Sequence, residues 1–488
     1  MVHNILSVML FTPAVVALIL LFVPADRKSL FRSFSLIASL VPLLLSVQLY
    51  VQFDTSTADF QFVERISWIE PFNIEYYLGL DGISLPLVML STLLATVALL
   101  VSWNIEKMTK GYFCLFLLLE TGVLGTFMAL DLFLFFVFWE LTLLPMYFLI
   151  GIWGGPRKEY AAIKFFLYTM FGSVLMLLGI IAVYYYNGQH SFAMPELMMT
   201  EYGLGFQKIV YLLFAIGFAV KIPIFPFHTW LPDAHVEAPT PISVILAGIL
   251  LKMGAYGFFR IAFPFFPDAA VHFAWLLGLL GLINVIYGSL CAMAQQDMKK
   301  LVAYSSIGHM GYMLLGMASF VQIGLIGGHF QMFTHGLSSG LLFMLVGVIY
   351  DRAHHRNIDG FGGMATYMPV YAGFMMVGTF AGLGLPSMAP FISESFSFLG
   401  AFQSDTTRIF AILGVSGILL TAGYMLWMYQ RIFFEEPNPK YEDIEDINLR
   451  EMVAAAPMII LILVLGIYPS PYIDLVEESI LHLQTMIP

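Results

Sequence analysis

Charge is scarce in this sequence. Asp, Glu, Lys and Arg make up 11% of its 488 residues, where soluble globular chains carry about 25%. So few hydrated side chains cannot cover a globular surface, and a mean hydropathy of +0.86 points to lipid as the solvent. Clustered Lys and Arg are missing, which excludes a nucleic-acid footprint. The net charge of -11 reflects acids in loops and in the segment 435–451 rather than a partner of opposite sign. Cysteine is scarcer still. Cys114 and Cys291 each lie in an apolar run, far apart, so no disulfide or metal framework can be built; both read as small buried hydrophobes. No Cys-x-x-Cys, paired-metal or flavin signature occurs, and the DGFGGM run at 359–364 lacks the strand, helix and spacing of a nucleotide fingerprint. His329 and His335 are six residues apart, off the one-face spacing of a helix, and do not read as a metal pair. His354 and His355 fall in the polar stretch DRAHHRNID and are expected to be solvated. The N-terminal stretch has no basic n-region or small-residue cleavage site, so Asn4 to Val23 is expected to be a retained first helix rather than a signal peptide.

Apolar runs of about 20 residues, long enough to cross a ~30 Å hydrocarbon core, fill what remains. They fall near 4–24, 30–51, 79–103, 111–130, 132–153, 160–186, 207–228, 241–262, 270–294, 301–319, 322–350, 367–398, 408–430 and 452–472. The expectation is an all-α polytopic membrane protein of about 14 transmembrane helices. No soluble domain fits between them, the longest polar gaps being 52–78, 187–206 and 431–451. Cytoplasmic loops are enriched in Lys and Arg. Of the 21 such residues, fifteen lie on the side reached after odd-numbered helices, among them Arg27, Lys28, Lys164, Lys299, Lys300 and Lys440. Four, Arg65, Lys208, Arg260 and Arg408, lie on the other. Both termini are therefore expected on the non-cytoplasmic side of a cell inner membrane.

The last two of the 21, Lys221 and Lys252, sit inside apolar runs. A lysine at the bilayer centre costs about 2.5–3.5 kcal/mol on insertion scales. Lys221 is followed by Pro223 and Pro226, each of which removes a backbone donor and breaks the helix. A broken helix at membrane depth is tolerated only where it lines a cavity or packs on protein. Snorkelling to the interface is the alternative for both lysines. Acids recur in similar places. Glu140 lies mid-run in FVFWELTLLP, and His309 lies mid-run in YSSIGHMGYM, 169 residues later; Glu394 lies in GLGLPSMAPFISESF, with Pro386 and Pro390, 173 residues after Lys221. The near-constant offset predicts a repeat in which helices 4–8 recur as helices 9–13, each copy with one Pro-broken helix. An odd number of spans per copy inverts the second, as in many transporters. The implied organisation is 1–110 for helices 1–3, 111–262 for the first repeat, 263–432 for the second, and 433–488 for the last loop and helix.

Glu140, Lys221, Lys252, His309 and Glu394 are thus the candidates for proton transfer. Opposite charges within about 4–6 Å hold each other charged, and their separation favours release of a proton; histidine passes protons at neutral pH. An interhelical bonding role is the alternative for Glu140, and a satisfied interior histidine for His309. Glu120 in LLLETGVLG, Lys164 near a helix start and His335 form a secondary set. A packing role for Glu120 and snorkelling for Lys164 compete with a proton path.

The stretch HTWLPDAHVEAPTPISVILAGILLKMGAYG, with FWELTLLPMYFLIGIWGG and QDMKKLVAYSSIGHMGYM, resembles the antiporter-like membrane subunits of the proton-pumping NADH:quinone oxidoreductase, respiratory complex I. The M type is more similar than the L and N types. The resemblance implies a proton half-channel around Glu140 and Lys221, a connecting Lys252, His309, and a terminal acid at Glu394. It implies coupling to quinone reduction in other subunits, no cofactor in this chain, and L-, N- and K-type subunits as partners within the bilayer. A D-type subunit of a multisubunit Na+/H+ antiporter is the reading from another class, and a scaffold that has lost transport is the third.

Overall fold

The computed structural model describes residues 4–188 and 190–488. It forms two units between which the chain passes four times: one is the described chain to Ile222 with Ile249–Phe273 and Asp474–Pro488, the other Pro223–Gly248 with Ala274–Ile473. The protein is an all-α polytopic membrane protein, with eleven helices long and apolar enough to cross a bilayer among the described residues. Three of the fourteen runs read from the sequence fall outside that set. The run 4–24 is a helix of 17 residues, 301–319 is a helix enriched in Ser, Gly and His, and 367–398 is two short helices.

The first unit begins with α1 (Ile5–Leu21) and α2 (Lys28–Gln52). An antiparallel hairpin of β1 (Gln61–Ile69) and β2 (Ile74–Leu80) follows, with Ser67 opposite Glu75 and Gln61 opposite Leu80. The sequence gap 52–78 gave no sign of it, because its turn runs through Glu70–Asn73 without an Asn-Gly pair, and Asn73 alone supplies the left-handed φ of 51°. Glu64 ties the hairpin to α1, accepting from the Leu6 N–H at 2.7 Å and from Ser7. Then come α3 (Leu85–Val101), α4 (Thr109–Met128), α5 (Leu132–Leu141), α6 (Leu143–Trp153), α7 (Lys158–Tyr186), α8 (Met194–Met198) and α9 (Leu204–Lys221). The run 132–153, read as one continuous helix, is interrupted at Thr142: Pro145 has no N–H for the Leu141 carbonyl, and the chain re-starts one residue later.

At Pro223 the chain enters the second unit, through α10 (Trp230–Glu237) and α11 (Thr240–Ile245). A π-helical stretch, Leu246–Leu250, leads back to the first unit and α12 (Leu251–Gly257), a second π stretch (Phe258–Ala262) and α13 (Phe263–Phe265). This span, 240–265, is buried on every face from Pro241 on, as expected of a helix with no face to lipid, and carries Lys252 and Arg260 among its apolar residues. Next are α14 (Pro267–Met293), α15 (Met298–Ala318), α16 (Gln322–Ala353), α17 (Met364–Tyr367), α18 (Pro369–Gly382), α19 (Ala389–Gln403), α20 (Arg408–Gly414), α21 (Ser416–Phe433), α22 (Leu449–Ile467) and α23 (Ser470–Thr485). The 32-residue α16 is buried from Gly324 to Ile349 and packs against α15 and α19, making it the central post of the second unit.

Several placements differ from the sequence reading. Lys221 is the last residue of α9 rather than its middle, since Pro223 and Pro226 leave no donors to continue the helix. The break before Glu394 spans Leu383–Met388 around Pro386, while Pro390 sits in the first turn of α19, where a missing N–H costs nothing. His355 is not a solvated loop residue: its ring stacks on Phe361 at 4.4 Å and its Nε2 bonds the Tyr441 hydroxyl. Cys114 is buried, and Cys291 is partly exposed. Arg260 and Lys299, counted among loop cations, are each 3% exposed.

Candidate functional site

Of the candidate residues, Glu140, Lys221 and Lys252 fall in the first unit and His309, His335 and Glu394 in the second. In the first, α9 delivers Lys221 at its C-terminal end, where the partial negative charge of the last carbonyls favours a cation. Lys221 is 2% exposed. Its Nζ donates to Thr142 Oγ1 at 3.5 Å and lies 5.1 Å from the centre of the Trp139 ring. Trp139 is fixed in turn by its indole N–H, which donates to Ser173 Oγ at 3.1 Å. Glu140, between those two residues, is the acid whose field reaches Lys221. Its Oε1 is buried and has no hydrogen-bond partner among the described residues. Thr142, at the interruption just past Glu140, donates its hydroxyl to the Trp139 carbonyl at 2.8 Å and accepts from the Lys221 ammonium with the same oxygen.

Lys252 belongs to the same unit and is fully buried on α12. Both flanking turns are π-helical, a rare distortion often found at functional sites. Two residues on, α12 meets the end of α9 so closely that a Cβ on Gly254 would lie 2.6 Å from the Phe218 carbonyl oxygen. The turn that carries Lys252 is thus seated on the turn that carries Lys221.

In the second unit, α15 and α19 bring His309 and Glu394 into direct contact, Nδ1 to Oε1, at 2.9 Å. Gln331 on α16 donates Nε2 to the same oxygen at 3.3 Å. Ser393 bonds Gln331 Oε1 and, at 2.8 Å, Thr334. His335 lies one turn along α16 from Gln331, its ring 5.5 Å from that of His309. The helix break is aimed at this carboxylate. Gly384, at φ +71°, passes so near that a Cβ there would stand 2.8 Å from Glu394 Oε2. His309 and Glu394 are 5–6% exposed, and His335 is 2% exposed.

The secondary residues separate. Glu120 is buried and bonds Ser39 Oγ at 3.1 Å, which in turn meets Thr96. Lys164 is half-buried over the Tyr160 ring at 5.6 Å, the posture of a snorkelling side chain. Sequence reasoning missed Trp139, Thr142, Gln331, Thr334 and Ser393, which are ordinary residues until the helices meet. It also missed the buried Arg260–Asp81 ion pair; an arginine inside GFFRIAF beside a lone aspartate in LGLDGIS was the available signal. Among the described residues no group of three or more His, Cys, Asp and Glu could hold a metal ion.

Buried lysine and acid groups at helix interruptions, in an all-α membrane protein, are the features of a class: antiporter-like polytopic membrane proteins. The chain belongs to the NADH:quinone oxidoreductase/Mrp antiporter transmembrane family, whose family model matches residues 129–421, and within it to the subunit M type of complex I membrane subunits. It is 43% identical over 499 aligned positions to NADH-quinone oxidoreductase subunit M of Rhodobacter capsulatus, covering 99% of this chain and 96% of that one. NADH-ubiquinone oxidoreductase chain 4 of Arabidopsis thaliana is 41% identical over 481 positions, 98% of this chain and 96% of the relative. A chain of respiratory complex I from Thermus thermophilus superposes with a TM-score of 0.91 at 27% identity, over 99% of this chain and all of that one.

Proposed function

We propose that this chain is a proton-translocating membrane-arm subunit of a complex I-like NADH:quinone oxidoreductase. In this reading, protons move through Glu140, Lys221, Lys252, His309 and Glu394, with Glu120, Lys164 and His335 as a secondary set. The observation that carries it is Lys221: a lysine 2% exposed at the end of an interrupted helix, its ammonium on Thr142 and over Trp139, the residues that flank the Glu140 turn. A structural lysine would be costly there and easily replaced by an apolar residue; a lysine that alternates between charged and neutral needs this setting. The Glu140 charge holds the proton on Lys221. When that influence weakens, desolvation favours its release to Lys252. His309 and Glu394, already hydrogen-bonded, receive and pass it in the second unit.

The chain supplies no redox chemistry in this reading; quinone reduction and its cofactors belong to partner subunits, with L- and N-type antiporter-like subunits and a small K-type subunit as neighbours. The two interrupted helices and the offsets between corresponding charges support an inverted repeat of helices 4–8 and 9–13 within fourteen spans. The test is vesicle acidification driven by quinone reduction. Lys252→Met should assemble, since it replaces a buried cation by an apolar side chain of similar length, and should lose proton uptake by at least about tenfold. Normal acidification by an assembled Lys252→Met complex would end the reading.

Orientation is tested separately. With both termini on the non-cytoplasmic side of an inner membrane, cysteines placed at positions 28 and 440 should label only from the cytoplasmic face, and one at 190 only from outside. Reversed labelling at any of the three would show that the chain has a different number of spans.

A further inference from the structure

The short helix α10 follows the Lys221 break and carries His235, which is fully buried with its ring stacked on Phe343 at 4.4 Å. The last carbonyls of a helix have no partners within it. Those of α10 are met by side chains from other elements. Ser243 Oγ donates to the His235 carbonyl at 3.2 Å, Arg356 Nη1 to that of Val236 at 3.0 Å, and Lys299 Nζ to that of Ala238 at 2.5 Å. Two cations thus converge on the negative end of the α10 dipole, where cations are favoured. Lys299 lies in the first turn of α15, next to its Asp297 cap, which is the wrong end of that helix for a cation. Its position is explained by α10, not by α15. The clamp is braced by Arg356 Nε on Asp297 Oδ2 at 3.1 Å.

We propose that Lys299 is a positioning residue for proton translocation, its ammonium, with Arg356, holding the C-terminal end of α10 in place. This rests on the reading of the chain as a proton-translocating subunit. The charged groups facing Lys299 are Arg356 and Asp351 from α16 and the loop beyond it, Asp297 at the start of α15, and Glu237 at the end of α10. Burial, with Arg356 adding to it, draws the lysine from its ordinary value down to about 7, against the opposing pull of Asp297, Glu237 and Asp351. The Lys299 arm of the clamp is therefore charged below about pH 7 and neutral above it, while Arg356 keeps its charge throughout. A charge-assisted hydrogen bond is roughly twice as strong as a neutral one, so α10 is held firmly on the acidic side of neutrality and loosened on the alkaline side.

The test compares assembled complexes of the wild type, Lys299→Arg and Lys299→Gln. Proton uptake by the wild type should decline on the alkaline side with a midpoint near 7. Lys299→Arg stays charged at any accessible pH and should carry that limb at least about one pH unit higher. Lys299→Gln should remove the limb and pump at the low alkaline level throughout. An unmoved midpoint in Lys299→Arg, or a wild-type profile in Lys299→Gln, would overturn the proposal. Hydrogen–deuterium exchange of residues 233–240 in the unmutated complex, corrected for intrinsic rates, is the second measurement and needs no variant to fold. Protection should fall several-fold between pH 6 and pH 8, and constant protection would overturn the proposal as well. If Lys252→Met pumps normally while protection still falls, the proton-translocation reading fails and the clamp stands. If Lys252→Met is inactive while protection is constant, the clamp alone fails.

Discussion

Lys221→Ala is expected to abolish proton uptake while the complex still assembles. Assembly survives because the substitution removes a desolvated cation rather than leaving one behind. What is lost structurally is the contact over Trp139 and a long 3.5 Å hydrogen bond to Thr142, of which the cation–π part is worth about 0.5–2 kcal/mol. Against this, the helix no longer carries a buried charge, and replacing buried ions by apolar groups is often neutral or stabilising. Function has no such substitute in the proposed path, where Lys221 is the group that exchanges a proton under the influence of Glu140. Lys221→Arg discriminates between two explanations of the loss. Arginine keeps the positive charge, the stacking on Trp139 and the hydrogen bond to Thr142, so a purely structural cation would be replaced well. It does not release its proton, so a carrier would not. The expected result is an assembled, inactive Lys221→Arg complex, measured as quinone-reduction-driven acidification in membrane vesicles with complex content read from a native gel. Full pumping by either variant would remove Lys221 from the path.

How much of this was legible beforehand follows from the kind of signal each feature leaves. The membrane class and nearly every helix were visible because apolar runs are long and lipid imposes helices on them. The residues Lys221, Lys252, Glu140, His309 and Glu394 stood out because an ionisable group in an apolar run needs no alignment to be noticed. Pairing was not visible. His309 and Glu394 are 85 residues apart in sequence, yet their side chains bond at 2.9 Å; the sequence grouped them only through an offset. Gln331, Thr334 and Ser393 lie in stretches where polar residues are unremarkable, and only the packing of α16 on α19 makes them a network. The hairpin at 61–80 was hidden because two short strands with a charged face leave little periodicity. Lys299 and Arg260 were misplaced for one reason: a cation near the end of an apolar run reads as a loop residue, and the partner that buries it is remote in sequence.

The two acids should respond differently to loss of charge, because their surroundings differ. Glu140 shares no hydrogen bond at Oε1 with any described residue, and its effect on Lys221 is exerted through space. Glu140→Gln preserves shape and removes only that field. It leaves a buried lysine without the field of its acid, and the desolvated lysine then rests more easily neutral. A lysine held neutral cannot take up the next proton, so nearly complete loss of pumping is expected. Glu394 is embedded in a hydrogen-bonded network: His309, Gln331 and, through Gln331, Ser393 and Thr334. Glu394→Gln keeps a polar group on His309 and leaves other groups able to relay, so turnover should slow rather than stop. Glu394→Asp restores the carboxylate one methylene short of His309 and should recover part of the rate. Glu394→Lys should keep some activity, because a lysine near His309 still exchanges protons. Acidification rates of assembled complexes decide the matter. Equal, complete losses in Glu140→Gln and Glu394→Asp would contradict this division between a field-setting acid and a relaying one. Normal pumping by Glu140→Gln would leave Lys221 with no acid to govern it.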